Sequence, residues 1–204
     1  MKKIILSIVT ITSLNAFSQD FSFGAKAGAN MNLDKFDEEN SIGFYAGGLA
    51  EYHLNQKMSV QAELLYNETE YQRGYLTYSF GNLSFPISYN YYFIDNLKVS
   101  AGFQFSYLIK SIEKWRFSDY RNDFDPGINQ NDLEYNRTDN FNKFYTDFII
   151  GASYKIWKGL FIDVRYNYGL NDIKEKKNLN YEEITDSNFS LKRNYIQLGL
   201  SYKF

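Results

Sequence analysis

Apolar and polar residues alternate one for one along this chain in eight separate stretches: residues 21–31, 44–53, 58–67, 83–91, 97–107, 144–155, 160–169 and 194–204. In the last of them, NYIQLGLSYKF, one face carries Ile196, Leu198, Leu200, Tyr202 and Phe204. The other face carries Tyr195, Gln197, Gly199, Ser201 and Lys203. A period of two is the period of a β-strand, whose successive side chains point to opposite faces. No stretch after Gln19 sustains a helical period. The expected fold is all-β, with about eight strands of roughly 10–13 residues.

The connections alternate too. Hairpin-length turns fall at 55–57, 94–96 and 157–158, while polar connections at 34–41, 111–142 and 172–190 are longer, with one short link near 72–74. Short turns on one rim and longer loops on the other describe an eight-stranded antiparallel up-and-down transmembrane β-barrel, with short periplasmic turns and longer extracellular loops. An even strand count brings both chain ends to the periplasmic rim. The last strand then pairs with the first, which leaves no edge at a terminus that closes on an aromatic residue.

Residues 1–18 read as a cleaved signal peptide: Lys2 and Lys3, an apolar run over 4–14, and Ala16-Phe17-Ser18 before Gln19. The run is too short for a membrane-spanning helix, which needs about 20 apolar residues. The barrel domain is then 19–204. The chain has no cysteine, so disulfides and thiolate metal sites are excluded, and its net charge of −2 gives no basic excess that would attract nucleic acid.

Alternation alone also suits a soluble lipocalin-like carrier with the faces reversed. Three features favour the membrane. The polar set is rich in Gly and Ser with few charges, as a narrow barrel interior requires. Aromatics gather near strand ends, as interface girdles do: Phe21, Phe23, Tyr52, Tyr91, Phe93, Tyr202 and Phe204 at one rim, and Phe44, Tyr66, Tyr78, Tyr107, Phe144 and Tyr168 at the other. The terminal phenylalanine falls on the lipid-facing register. Outer-membrane lipid is thus an expected partner, and the expected location is the bacterial outer membrane.

Residues 83–109 contain Phe85-Pro86-Ile87, then Tyr91-Tyr92-Phe93, then Ala101-Gly102. This stretch resembles the PorT-like outer-membrane barrel family of Bacteroidetes, and IQLGLSYKF is similar to that family's last strand. The family often has a basic residue shortly after the proline, where this chain has Tyr89 and Asn90. The resemblance implies a role in, or accessory to, protein secretion of the type IX kind. Pro86 inside a strand implies a bulge there. The ending resembles the assembly signal read by the barrel-insertion machinery, carried here by Leu200, Tyr202 and Phe204.

The chemistry available is sparse. His53, the one histidine, falls at the periplasmic end of the second strand, away from the outer rim where barrel enzymes work. No enzymatic activity, cofactor or metal is expected. Glu51, Glu63, Lys98, Asp147, Asp163, Arg165 and Lys203 share the lumen register and are expected to pair as a charge network filling a closed interior. The segment 121–140 is rich in Asp and Asn, but without calcium-loop spacing it reads as a hydrated loop. Trp115, Phe117 and Tyr120 suggest that the fifth strand or a hairpin continues above the membrane, with an edge that could pair with another protein. The competing reading of function is therefore binding or adhesion through the third and fourth extracellular loops, 111–142 and 172–190.

Overall fold

The computed structural model describes residues 20–33, 41–73, 76–115, 133–136, 138, 141–171 and 193–204. The signal-peptide reading, Phe117, Tyr120 and most of the third and fourth loops lie outside these residues. Nine strands are described: β1 Phe21–Asn32, β2 Ile42–Asn55, β3 Met58–Arg73, β4 Leu76–Ile94, β5 Leu97–Trp115, β6 Leu133–Asn136, β7 Phe144–Trp157, β8 Leu160–Gly169 and β9 Asn194–Lys203. Every pairing is antiparallel. The ladder runs β4-β3-β2-β1-β9-β8-β7-β5 and closes through β4–β5, so eight strands form the barrel and β6 is a short addition beside β5. The last strand lies against the first over nine register pairs, from Gly24↔Lys203 to Asn32↔Tyr195. Beyond them the Phe204 amide donates to the Phe23 carbonyl at 3.0 Å.

Two-residue turns join β2 to β3 at Gln56-Lys57, β4 to β5 at Asp95-Asn96, and β7 to β8 at Lys158-Gly159. All three lie on the rim that holds both ends of the barrel.

The two faces of each strand differ in chemistry. Polar residues are buried and large apolar residues are exposed: β8 turns Asp163, Arg165 and Asn167 inward and Ile162, Val164 and Tyr168 outward. This is the reverse of a soluble barrel, and it excludes the lipocalin-like arrangement. A closed ladder satisfies the backbone of every strand internally, which is the condition for crossing a bilayer with strands. At the rims the exposed rings pair across strands: Phe21 with Tyr52 at 4.8 Å, Phe44 with Tyr66 at 5.7 Å, and Tyr107 with Phe144 at 4.9 Å between centroids.

Three expectations need correction. First, β3, β4 and β5 are 16, 19 and 19 residues long, whereas β8 and β9 are 10 each. Strand four begins at Leu76 rather than Leu83. The alternation hid this because the β4–β5 register shifts between Gly81 and Asn82, which leaves Ile109 of β5 as an extra residue. Beyond that point the inward phase of β5 moves from Gln104, Ser106 and Leu108 to Ser111 and Glu113. Second, Tyr78 is not a lipid-facing girdle residue. It packs against an internal cluster of Tyr71, Phe80, Leu108 and Tyr145. Third, Pro86 sits at no bulge. The β3–β4 ladder skips two pairs between Ala62↔Ile87 and Leu65↔Ser84, and resumes in the same register. With no N–H to donate, Pro86 faces inward, opposite Gln104 of β5.

Candidate functional site

Among the described residues the polar and charged chemistry concentrates in the barrel interior, and the strand period builds it. Inward positions from strands far apart in sequence converge on three tiers. Nearest the short-turn rim, Glu51 of β2 accepts hydrogen bonds from Ser59 at 2.5 Å, Tyr92 at 2.7 Å and Asn90 at 3.0 Å. Lys98 of β5 stands 3.5 Å from Glu51, and Lys203 of β9 bonds its other oxygen. Glu51 is fully buried, with these five donors around it. His53 lies just below, half-buried at the rim, with Nδ1 3.3 Å from the Asp20 carbonyl oxygen.

In the middle tier Arg165 of β8 forks onto both oxygens of Glu63 of β3, one contact measuring 3.0 Å. Gln61 donates to Glu63 at 2.6 Å, and Lys26 lies 3.7 Å away. Lys26 is shared with Asp163 at 3.9 Å, and Ser153 donates to Asp163 at 2.5 Å. Lys98 donates to Gln61 at 2.7 Å, which links this tier to the one below.

The outer tier is centred on Asp147 of β7. It accepts from Arg193 at 2.7 Å and from Gln104 at 3.1 Å. The Arg193 guanidinium lies 3.9 Å from the Tyr145 ring centroid and 5.5 Å from that of Tyr195. Tyr195 in turn accepts from Gln104 at 2.7 Å and from Asn67 at 3.0 Å. Above this tier lies the inward cluster of Tyr71, Phe80, Leu108 and Tyr145 from four neighbouring strands, joined by Phe141.

All seven charges on the lumen register therefore lie inside the barrel, each with an opposite charge within 4 Å. They fall into three clusters rather than one. Two further cations complete the clusters. Lys26 falls on the same polar register of the first strand. Arg193 is the cation that sequence reasoning missed: it stands just before the last alternating stretch, yet it lies two positions before Tyr195 and so falls on the same inward face. Among the described residues Tyr45, Leu49, Leu65, Ile149, Phe161 and Tyr195 are also buried on the inward face. Glycines make room for them. A Cβ on Gly28 or Gly199, which face each other across β1 and β9, would strike the Tyr45 ring or its hydroxyl.

The three residues of the expected assembly signal are all exposed on the lipid side, with Phe204 at 81%. Among the described residues no group of three or more His, Asp or Glu is placed to hold a metal ion.

Residues 17–175 match the profile described as "Outer membrane protein beta-barrel domain". The chain belongs to this family. As an outer-membrane β-barrel protein it resides in the bacterial outer membrane. No protein of curated function matches it by sequence. Among solved structures it is similar to the attachment invasion locus protein Ail of Yersinia pestis, with 12% identity, coverage of 91% of this chain and 97% of that one, and a TM-score of 0.44. It is also similar to Neisserial surface protein A, with 14% identity, coverage of 90% and 97%, and a TM-score of 0.47. For the outer membrane protein OprG from Pseudomonas aeruginosa the figures are 11%, 91%, 96% and 0.43.

Proposed function

We propose that this outer-membrane barrel is a non-enzymatic, plugged scaffold that works by binding a protein partner on a wall of sheet standing above the membrane. The carrying observation is the length asymmetry of the strands. A tilted strand crosses a bilayer in about 9–11 residues, so the 19-residue β4 and β5 continue for about eight residues beyond it, roughly 26 Å of strand. The upper wall holds residues 68–73 of β3, 76–82 of β4, 110–115 of β5, and β6, which pairs from Ile112↔Asn136 to Trp115↔Leu133. Its outward face carries Glu68, Glu70, Lys110 and an exposed Lys114–Glu134 ion pair at 2.9 Å. The ion-paired interior supports a scaffold rather than a pore.

The secretion role implied by the PorT-like stretch is a narrower form of this reading, in which the partner is a component of a type IX machine. In the same reading Leu200, Tyr202 and Phe204 form the strand end that the insertion machinery reads.

Two experiments in the native host test the proposal. Replacing 112–136 with a two-residue turn should leave heat-modifiable gel mobility intact and abolish photo-crosslinks formed from a probe at position 70, on the part of the wall that remains. Crosslinks that persist unchanged from a second probe on the barrel's lipid face, with none from the wall, would move the binding surface elsewhere. Deleting the gene and comparing secreted proteins decides the narrower form. Cargo trapped in the periplasm supports a secretion component, and unchanged secretion removes it.

A further inference from the structure

We infer that the barrel binds a file of water along the inner wall made by β8 and β9, from Asp163 up to Arg193. Four successive inward rows of that ladder carry the inference. In the first row Asp163 stands opposite Gly199, and the Tyr45 hydroxyl lies over that glycine. Among the described residues the Tyr45 hydroxyl and Asp163 Oδ2 are both buried without a protein hydrogen-bond partner, and Lys26 Nζ is 3.9 Å from the carboxylate oxygen. In the second row Arg165 faces Gln197. Gln197 donates to Asn30 at 3.0 Å and keeps Oε1 without a partner among the described residues.

In the third row Asn167 faces Tyr195. Asn167 is fully buried, and neither its Oδ1 nor its Nδ2 is bonded to any described residue. In the fourth row the Gly169 amide donates to the Arg193 carbonyl at 2.9 Å. Arg193 commits Nη2 to Asp147 and, among the described residues, leaves Nε and Nη1 without a partner. The rows are two residues apart, so the track extends about 20 Å along the strand.

A buried polar group without a partner costs its full desolvation free energy, and native interiors meet that cost with protein or with ordered water. The pattern of atoms selects water over an ion. Donors on Tyr45, Asn167 and Arg193 are interleaved with acceptors on Asp163, Gln197 and Asn167. An anion suited to Arg193 would face the oxygens of Gln197 and Asn167, and a cation suited to those oxygens would face Arg193. Water donates and accepts, and each molecule in a file supplies the two to four partners that the next requires. Aromatic rings border the track: Phe161, two residues below Asp163, has Lys203 Nζ 4.5 Å from its ring centroid, and the Arg193 guanidinium above lies 3.9 Å from the Tyr145 centroid.

The test is water-to-protein NMR magnetisation transfer on the protein in lipid nanodiscs, with water as the probe. Cross-peaks from long-lived water are expected at the side-chain amides of Asn167 and Gln197 and at Arg193 Nε–H. The Asn90 amide, bonded to Glu51 and Ser59, should show none. Absence of all three peaks in the wild-type protein overturns the inference. Asn167→Leu should weaken the peaks at Gln197 and Arg193, whereas Asn167→Ser should keep them. Peaks that are unchanged in a folded Asn167→Leu protein overturn the file and leave isolated waters.

Discussion

Glu63→Leu is the most revealing single change in this barrel. Glu63 is buried, is gripped by both Arg165 nitrogens, lies 3.7 Å from Lys26 and accepts from Gln61. Leucine removes one negative charge from beside two cations that are 4% exposed at their side chains. Lys26 keeps Asp163 at 3.9 Å, but among the described residues Arg165 retains no carboxylate within bonding distance. Removing one partner of a buried pair costs about 3–5 kcal/mol, because the remaining charge stays buried and uncompensated. At about 1.4 kcal/mol for each factor of ten, that is roughly a hundred- to several-thousand-fold shift toward the unfolded state. The assay is the urea midpoint of the heat-modifiable gel shift in detergent micelles or nanodiscs. Asp163→Leu is the internal comparison. It removes the same charge from a site with one distant cation and one hydroxyl donor, so its loss should be clearly smaller. Equal losses, or a Glu63→Leu loss under about 1 kcal/mol, the value of an exposed pair, would refute the claim that breaking the Arg165–Glu63 pair leaves a buried, uncompensated charge.

Lys114→Ala removes an ion pair whose side chains are 43% and 56% exposed. It should change the same midpoint by less than about 1 kcal/mol. Gly48→Ala should be silent, since a Cβ there meets nothing nearer than 3.8 Å. Gly47→Ala, one residue away, would drive a Cβ to 2.8 Å from the Leu65 Cα. It should cost about 1–3 kcal/mol, the usual range for overpacking, read from the same gel shift. Phe204→Ser should lower the amount of folded protein in outer-membrane fractions without lowering synthesis, as measured by fractionation and immunoblot. Mass spectrometry of the exported protein should find Gln19 at the N-terminus.

The fold was legible because a closed barrel leaves every strand with one lipid face and one lumen face, so period two survives along nearly the whole chain. Legibility ended where one of those faces ended. Beyond the apolar band the outward side of β3 and β4 turns polar, and Glu68, Glu70 and Ser79 replace the apolar set. The inward side there turns aromatic at Tyr71, Tyr78 and Phe80. The pattern inverts and the strand signal fades, although the backbone continues as sheet. The extra residue at Ile109 adds a phase slip that no count of alternation anticipates.

The interior was legible as a register but not as a set of partners. Period two assigns Glu51, Glu63, Asp163 and Arg165 to the lumen. It cannot say that Arg165 meets Glu63, 102 residues away, because that contact depends on strand tilt and on where the β1–β9 seam closes. Arg193 depends on the seam in the same way. Its charge balances Asp147 from a position outside any apolar run, and β9, which begins at the next residue, is held by pairing with β1. Once β9 closes on β1, the inward phase set by Tyr195 and Gln197 extends one step further and brings Arg193 into the lumen. Closure of the seam is therefore what completes the outer tier, and a last strand that failed to dock would leave Asp147 buried without its cation.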